Sequence, residues 1–285
     1  MGKCCAVIVT FHPNAKHLET MVSILKSQVE YIVIVDNTDN VDALLKSDGK
    51  VHYIHLGENH GIATAQNIGL KKAIEFGCVG CIIFDQDSII SENMCPQLVN
   101  DLSILLNEKI NVAAIGPRIF DVLENKIEGS SKEIELINNC FETKQIIASG
   151  TLFNLEYIST IGMMEDDLFI DGVDHEWCWR AINQGFKICI SNNILMEHVI
   201  GIDRGRVFNV EYIISAPIRH YYQFRNILLL LPRTYVPRKW KIKKTLEIFL
   251  LPIIFCLKGP DRKKRLKYMM YGVLDGIRGL AGKIR

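Results

Sequence analysis

The chain has 285 residues, a hydrophobic fraction of 48% and a formal net charge of +1. This length is sufficient for one large domain, or one domain with an extension, around a sizeable core. The nine cysteines are scattered, and the one close pair, Cys78 and Cys81, has no second pair and no nearby histidine, which argues against zinc or redox chemistry.

The near-zero net charge hides an asymmetry between two parts of the chain. Residues 233–285 carry 15 basic and 3 acidic residues, which leaves 18 basic and 29 acidic residues before them. We therefore expect a main domain over residues 1–232 and a basic helical extension over residues 233–285. The opening run MGKCCAVIVTF leads directly into a predicted strand without the apolar segment of a signal peptide, so a cytoplasmic location is expected.

Predicted strands and helices alternate along the first third of the chain. Continuous apolar, β-branched runs predict buried strands, and apolar residues at helical spacing predict the helices between them. The predicted strands are Cys4–Thr10, Tyr31–Val35, Val51–Leu56 and Cys81–Phe84, and the predicted helices are Leu18–Val29 and Ile62–Phe76. This alternation is typical of an α/β sheet.

The rest of the chain changes character towards its end. A short helix is predicted from Asp174 to Gly185, then a strand over Lys187–Ser191 and a long helix over Tyr212–Leu231. Basic clusters then flank a ten-residue apolar run, Ile248–Leu257. A bilayer span needs roughly twenty residues, so this run is expected to lie in a membrane interface or to fold back onto the domain.

Polar clusters follow four of the predicted strands and begin at Thr10, Asp36, Gly57 and Asp85. Ligands of α/β sheets bind outside the carboxyl ends of the strands, so these clusters are expected to line one crevice. A nucleotide is the natural ligand for such a crevice. No GxGxxG follows the first strand and no GxxxxGK[ST] occurs, which weakens the case for a dinucleotide dehydrogenase or a P-loop NTPase.

The run IIFDQDSII places two carboxylates, Asp85 and Asp87, directly after a buried strand. Carboxylates at positions i and i+2 are hard oxygen ligands. Mg²⁺ uses one or two such groups together with waters and substrate phosphates. The motif is therefore consistent with half of a metal site that a diphosphate completes, although a turn or helix cap can use the same residues.

The ordered segments VTFHPN, VDNTDN, ENHGIATAQN, FDQDS, ASGTLFN and DGVDHEWCWR resemble those of the family-2 glycosyltransferases. The FDQDS segment is similar to that of bacterial rhamnosyltransferases that use a dTDP-activated donor. The resemblance implies an α/β nucleotide-sugar-binding domain of the GT-A fold, with a mixed, mostly parallel sheet. It also implies transfer with inversion at the anomeric centre and a divalent cation, Mg²⁺ or Mn²⁺.

The resemblance further implies which residues bind the nucleotide sugar. Asp36 would accept the ring N–H of thymine or uracil, and Gly61 would permit close backbone approach before a helix N-terminus that favours phosphate. A plain turn and helix cap is the alternative for this segment. The implied donor-binding residues are Thr10, Phe11, Asp36, Asn37, Asn59, Gly61, Asn67, Asp85 and Gln86, and the implied metal ligands are Asp87, Asp85 and His198.

Inversion also needs a carboxylate that takes the proton of the acceptor hydroxyl. The resemblance implies Asp174 as this base. Val173 stands where many relatives have Glu, so Asp171 is a second candidate for the role. Acids at a helix N-terminus are also expected from the helix dipole alone.

Three further residues of the same segment have implied roles. Glu176 would position the base or the acceptor sugar, and Arg180 would hold the carboxylates by charge-assisted hydrogen bonds. Trp177 would stack on the acceptor sugar, although an aromatic residue beside an apolar helix face is more often part of the core.

The basic extension favours an anionic membrane surface over nucleic acid, because no nucleic-acid reader motif is present. Packing on the acidic main domain is the alternative. The resemblance implies dTDP-L-rhamnose as donor and an undecaprenyl-diphosphate-linked oligosaccharide as acceptor, in O-antigen or other surface polysaccharide biosynthesis at the cytoplasmic face of the bacterial membrane. A UDP-hexose or UDP-galactofuranose donor, or a non-catalytic sugar-nucleotide-binding protein, are the alternatives, and the oligomeric state stays open.

Overall fold

The computed structural model of the protein describes residues 2–39, 47–122, 125–127, 129, 133–198, 203–207, 210–258 and 260–285, without the side chains of residues 198, 203–207, 210–214 and 256–258. The helices are α1 (Ala15–Leu25), α2 (Ile62–Glu75), α3 (Met94–Asn107), α4 (Ile158–Ile161), α5 (Val173–Asn183), α6 (Arg219–Leu230), α7 (Arg238–Lys258) and α8 (Arg262–Ile277). The strands are β1 (Cys4–Thr10), β2 (Tyr31–Asp39), β3 (Val51–Gly57), β4 (Gly80–Asp85), β5 (Val112–Asp121), β6 (Lys126–Ile127), β7 (Ile134–Glu135), β8 (Cys140–Thr143), β9 (Thr151–Asn154), β10 (Lys187–His198), β11 (Asp203–Val207) and β12 (Val210–Ile214).

Ten strands form one sheet in the order β3-β2-β1-β4-β9-β5-β10-β8-β7, with β6 paired to β5. Strands β3, β2, β1 and β4 are parallel, whereas β9 runs antiparallel to both β4 and β5. Within the parallel part, Thr10 lies opposite Asp36 and Val9 lies opposite Asp85. The predicted mixed α/β sheet is confirmed, and its register brings the predicted polar clusters to one edge.

Helices cover both faces of the sheet. Along β1, Cys5, Val7 and Val9 join the core layer under α2 and α5, while Cys4, Ala6 and Ile8 join the layer under α1 and α3. A strand buried on both faces needs apolar residues at every position, which explains the unbroken run in the sequence.

Several predicted element bounds are wrong, including the end of α1 at Leu25 rather than Val29 and the end of β10 at His198 rather than Ser191. Helix α1 begins at Ala15 rather than Leu18 because the side chain of Asn14 caps it, accepting from the backbone N–H of His17 at 3.1 Å. Residues 212–214, predicted to be helical, form the end of β12 instead.

Helices α7 and α8 pack against α6. A Cβ atom at Gly272 of α8 would lie 2.4 Å from the carbonyl oxygen of Tyr221, so this glycine permits the close approach of the two helices. Arg265 of α8 is buried and donates to the carbonyl of Ser215 at 2.7 Å. Helix α8 thus packs closely on α6. The predicted domain boundary at residue 232 stays a prediction. Among the helices of the described ranges, none has both the length and the apolarity to cross a membrane.

Candidate active site

Asp36 lies at the carboxyl end of β2 and is 1% exposed. Its Oδ1 accepts from the hydroxyls of Thr10 at 2.8 Å and Thr38 at 2.6 Å, and its Oδ2 accepts from the hydroxyl of Tyr53. Burial opposes ionisation, but these hydrogen bonds outweigh it and lower the pKa of the Asp36 carboxyl. Asp36 therefore organises this part of the crevice, and its contact with a nucleobase stays a prediction.

The segment after β3 is held by short hydrogen bonds within the protein. The backbone N–H of Gly61 donates to the side chain of Asn59 at 2.9 Å, and that of His60 donates to Asn37 at 3.1 Å. Gly61 has φ +91°, and a Cβ there would lie 2.7 Å from the carbonyl oxygen of Phe169. Position 61 therefore requires glycine because Phe169 of the same chain packs against it.

The N-terminus of α2 is also occupied by Phe169. The backbone N–H of Ile62 donates to the Phe169 carbonyl at 2.8 Å, and that of Ala63 points to the same oxygen at 3.5 Å. Both amides already have an acceptor within the protein, and the predicted phosphate seat at this helix end stays a prediction. The sequence could not reveal this, because Phe169 lies more than one hundred residues further along the chain.

Asn67 is 3% exposed and has no side-chain atom left for a donor sugar. Its amide nitrogen donates to the carbonyl of Met164 at 2.9 Å and to the carboxylate of Asp166 at 2.8 Å, while its oxygen accepts from the backbone N–H of Met164 at 2.8 Å. These contacts lie within the protein, and the predicted contact of Asn67 with the nucleotide sugar stays a prediction. Asn67 instead fixes the acidic loop that leads to α5.

The FDQDS motif lies at the open end of β4. Asp85 and Gln86 are partly exposed and Asp87 is exposed, while Ser88 is buried and shares a 2.7 Å hydrogen bond with Ser149. The side-chain oxygen of Gln86 accepts from the backbone N–H of Phe11 at 2.7 Å, which joins this motif to the loop after β1. The charged residues of the motif thus face the crevice on a firmly held turn.

Asp85 belongs to a cluster of carboxylates with Asp87, Asp171 and Asp174. Burial, and then repulsion from Asp87 and Asp174, raise the pKa of Asp85 to about 7. Arg219 of α6 binds both oxygens of Asp171, with nitrogen–oxygen distances of 2.8 to 3.1 Å, and opposes the rise at Asp85. One arginine thus stabilises a group of carboxylates that repel one another.

Asp171 and Asp174 have different surroundings within this cluster. Asp171 adopts φ +68° and is ion-paired with Arg219. Asp174 lies in the first turn of α5, where its carboxylate accepts from the backbone N–H of His175 at 2.9 Å and of Ala148 at 3.4 Å. No residue in the described ranges forms a salt bridge with Asp174. Of the two predicted bases, Asp174 is the one whose carboxylate is not held by an arginine.

Glu176 points away from this cluster and is fully buried. Its oxygens accept from Arg180 at 2.9 Å and from the Tyr235 hydroxyl at 2.6 Å, and Arg233 lies at 3.4 Å. Arg180 therefore holds the carboxylate of Glu176, and the predicted role of Glu176 beside the base or acceptor stays a prediction. The buried group joins α5 to the segment before α7.

Replacing Glu176 by Gln is expected to lower the free energy of unfolding by about 3–5 kcal/mol, because Arg180 and Arg233 then lose their shared buried counter-charge. Urea denaturation measures this loss. Glu75→Gln is the matched control, since its exposed pair with Lys72 is worth about 0–1 kcal/mol. A Glu176→Gln protein that is as stable as wild type but has a raised KM for the acceptor would contradict this prediction. It would indicate that Glu176 contributes to acceptor binding.

Trp177 is fully buried in the core. Its indole N–H donates to the carbonyl of Gly162 at 2.9 Å, and its ring meets Phe153 edge to face at 5.0 Å. The ring packs within the core, and the predicted acceptor contact of Trp177 stays a prediction. An aromatic residue on an apolar helix face usually packs in the core.

Helix α6 supplies residues that sequence reasoning missed. Arg225 is fully buried and donates to the carbonyls of Asp167 at 3.1 Å and Leu168 at 2.9 Å, while Asn226 donates to those of Ile170 and Asp171 at 2.7 and 2.8 Å. Both side chains fix the loop that carries Asp171. The sequence signal for these residues was the presence of two arginines, Arg219 and Arg225, in a mostly aromatic and aliphatic helix. A buried arginine needs polar partners, so such residues indicate contacts with another segment.

The chemistry of Asp85 and Asp87 fits a divalent cation. Mutual repulsion among the carboxylates is relieved by added positive charge, and Mg²⁺ or Mn²⁺ needs few protein ligands when phosphates and water complete its shell. Within the described ranges no group of three or more potential ligands forms a closed cage. His198 ends β10 opposite Asp121, but its side chain lies outside the described residues, so its metal contact stays a prediction.

The affinity for Mn²⁺, measured with dTDP present, is expected to rise about tenfold between pH 6 and pH 8. The raised pKa of Asp85, about 7, leaves this carboxyl largely protonated below pH 7, and the proton must leave when a cation binds. Electron paramagnetic resonance of free Mn²⁺ measures the change after correction for dTDP alone. Asp85→Asn is expected to flatten the dependence, and a flat wild-type profile would contradict the prediction.

Two cavities adjoin the cluster. One, of about 540 Å³, lies beside Gln86 and Asp87 and is also lined by Lys16 and His17 of α1. The other, of about 530 Å³, is lined by Ser149 and His175, and extends between β5 and the loop before β9. His175 of the second cavity follows Asp174 directly in the chain, and the backbone N–H of Ala148, the residue before Ser149 of the cavity lining, donates to Asp174.

This combination of fold and motifs has relatives of known kind. Residues 5–154 match the family model Glycosyl transferase family 2. The dTDP-rhamnosyl transferase RfbF of Shigella flexneri is 34% identical over 97% of this chain and 96% of that protein. The low-salt glycan biosynthesis hexosyltransferase Agl10 of Haloferax volcanii is 21% identical over 98% of this chain and 92% of that protein.

Solved structures share the fold at low sequence identity. Staphylococcus aureus TarS 1–349 in complex with UDP superposes with a TM-score of 0.55 and 12% identity over 97% of this chain and 92% of that one. GalNAc-T7 with UDP, GalNAc and Mn²⁺ gives a TM-score of 0.61 and 14% identity over 98% of this chain and 56% of that one. The predicted GT-A fold is confirmed. With a family match over more than half its length and a relative similar over nearly all of it, the chain belongs to glycosyl transferase family 2 and is a glycosyltransferase.

Proposed function

We propose that this glycosyltransferase transfers L-rhamnose from dTDP-L-rhamnose, with inversion, to a lipid-linked glycan in O-antigen or other surface polysaccharide biosynthesis. The similarity to a dTDP-rhamnosyl transferase over nearly the whole of both chains is the observation that carries the donor assignment. The form of the FDQDS motif supports the same donor.

Asp174 is the proposed general base. It lies in the carboxylate cluster without an arginine partner among the described residues, beside a cavity large enough for a sugar. The acceptor hydroxyl attacks the anomeric carbon from the face opposite the diphosphate, its proton passes to Asp174, and the bond from carbon to the diphosphate oxygen breaks. Arg219 orients Asp171 beside the base without taking part in the proton transfer.

Asp85 and Asp87 would hold the divalent cation, Mg²⁺ or Mn²⁺, with His198 as a further proposed ligand. Such a cation supplies positive charge against the charge that develops on the departing diphosphate. The proposed donor contacts lie in or just after the carboxyl-terminal parts of β1, β2, β3 and β4, and they are Thr10, Phe11, Asp36, Asn37, Asn59 and Gln86. Gly61 contributes through the close packing of Phe169 that shapes this crevice.

The acceptor half of the proposal rests on position and charge. The cavity beside His175 is also lined by Lys126 and Lys144, whose cationic groups suit the phosphates of a lipid-linked oligosaccharide. An undecaprenyl-diphosphate carrier would keep that acceptor at the cytoplasmic face of the membrane, where the basic extension would hold the enzyme peripherally.

A donor panel tests the assignment. Release of the nucleotide diphosphate is measured with dTDP-L-rhamnose, a UDP-hexose and UDP-galactofuranose, each with bacterial membranes as the source of acceptor and with Mg²⁺ or Mn²⁺. The expected result is acceptor-dependent release of dTDP alone. Release of UDP at an equal or higher rate would move the donor assignment to that sugar.

A further inference from the structure

Helix α7 has two contrasting faces. Towards the fold, Ile248, Leu251, Ile254 and Phe255 pack in a hydrophobic cluster with Phe224 of α6 and Met269 of α8. The opposite face carries five large apolar side chains, each more than half exposed, which we call the apolar stripe: Ile242 at 64%, Leu246 at 55%, Phe249 at 67%, Leu250 at 53% and Ile253 at 57%.

The spacing places these five residues together. Steps of four, three, one and three residues keep them within about 100° of the helix circumference, over a length of about 16 Å. Single exposed apolar residues are common on protein surfaces, but a continuous stripe of five marks an interaction surface. Packing inside the chain accounts for the other face of α7 and leaves this one unexplained.

Charge decides what kind of partner the apolar stripe fits. Arg238, Lys239 and Lys243 are exposed and, at 100° per residue, lie on the half of the helix that carries the stripe. The helix has one acidic residue, Glu247, which is paired with Lys244 at 2.6 Å. Lysine is depleted from protein interfaces, whereas an apolar face bordered by lysines is typical of helices that lie in an anionic bilayer surface.

The fold also places α7 against the active site. Just before the helix, the Tyr235 hydroxyl binds Glu176 of α5, and Trp240 meets Trp179 of α5 at 5.1 Å between ring centroids. Lys244, on the side of α7 opposite the stripe, is close enough to Asp171 to interact with its carboxylate. The stripe and the side of α7 that faces the carboxylate cluster therefore lie on opposite sides of one helix.

We propose that α7 lies in the interface of an anionic bilayer, with the apolar stripe inserted between the lipid headgroups and Arg238, Lys239 and Lys243 at the level of the phosphates. This docking surface would place the carboxylate cluster on the side of α7 that faces away from the lipid headgroups. The benefit of docking, access to a lipid-linked acceptor, rests on the proposed function. The docking itself specifies the peripheral attachment proposed above and is tested without a reaction.

Vesicle binding of the full chain tests the proposal. Co-sedimentation with vesicles of phosphatidylglycerol and phosphatidylcholine, without donor or acceptor, is expected to be at least tenfold weaker for the double variant Phe249→Ser and Leu250→Ser. Ile74→Ser with Ile182→Ser is the matched control, because it removes two exposed apolar side chains from other helices. Lys239→Gln with Lys243→Gln is expected to weaken binding to anionic vesicles while leaving the low binding to pure phosphatidylcholine unchanged.

The depth to which the apolar stripe inserts into the bilayer is measured in a separate experiment. The fluorescence of a tryptophan placed in the stripe by Phe249→Trp is expected to be quenched by lipids brominated on the acyl chain. The control is Glu19→Trp, at an exposed position of α1, whose added fluorescence these lipids are not expected to quench. Unchanged vesicle binding by the Phe249→Ser and Leu250→Ser protein would overturn the proposal. So would conversion of a dimer to a monomer by the same variant, since the stripe would then join two copies of the chain.

The outcome is separable from that of the donor assignment. Nucleotide release in a detergent-solubilised assay reports the reaction without a bilayer, and vesicle binding reports docking without a reaction. Loss of nucleotide release with intact vesicle binding would contradict the proposed function alone. Intact release with no effect of the stripe variants on binding would contradict the docking proposal alone.

Discussion

Replacing Asp174 by Asn is expected to lower kcat by about 10²–10⁴-fold, the usual contribution of a general base, while donor affinity stays close to that of wild type. Asn has the same shape and its side-chain oxygen can accept from the His175 backbone N–H as the carboxylate does. It cannot take the acceptor proton. Rates of dTDP release and the equilibrium Kd for dTDP-L-rhamnose measure the two quantities.

Asp171→Asn is the matched control for this prediction. Asp171 lies two residues before the start of α5 and belongs to the same carboxylate cluster. Its carboxylate, however, is held by Arg219. Its replacement is expected to reduce kcat less than that of Asp174, through looser positioning of the loop. If Asp171→Asn stops turnover and Asp174→Asn retains it, the base is Asp171.

Replacing Asp87 by Asn is the second change with a large expected effect. Asp87 is the exposed carboxylate of the motif, free to face a cation that arrives with the nucleotide. Loss of a direct ligand is expected to cost at least as much metal affinity as loss of an outer-shell partner, about 10–100-fold, and to lower the rate with it. Mn²⁺ binding in the presence of dTDP, followed by electron paramagnetic resonance, separates this effect from a loss of turnover.

Glu92→Gln controls for the general loss of one negative charge. Glu92 is exposed and lies five residues after Asp87, in the turn before α3. Its replacement is expected to leave Mn²⁺ affinity and turnover near those of wild type. Equal losses in both variants would show that bulk charge, rather than a direct ligand, attracts the cation.

The crevice was predictable because its sequence signals are local. Unbroken β-branched runs end at Thr10 and at Asp85, and a parallel register necessarily brings such ends to one edge of the sheet. The polar residues after each run could therefore be grouped before any contact was known. The same logic located the start of α5, where Asp174 lies in the first turn.

The roles of Asn67, Glu176 and Trp177 were not predictable because their partners are distant in the chain. Asn67 bonds to Met164, 97 residues away, and Glu176 bonds to Tyr235, 59 residues away. Motif spacing shows that a residue is present, but burial and a distant partner decide whether its polar atoms face a ligand or the interior. Arg219 escaped notice for the same reason, since its carboxylate partner lies 48 residues before it.

The anomeric configuration of the transferred sugar tests the proposed mechanism most directly. The product formed from dTDP-L-rhamnose is isolated and its anomeric carbon–hydrogen coupling is measured by nuclear magnetic resonance. Direct attack with Asp174 as base predicts rhamnose joined in the configuration opposite to that of the donor. Retention of the donor configuration, or transfer of a different sugar only, would contradict it.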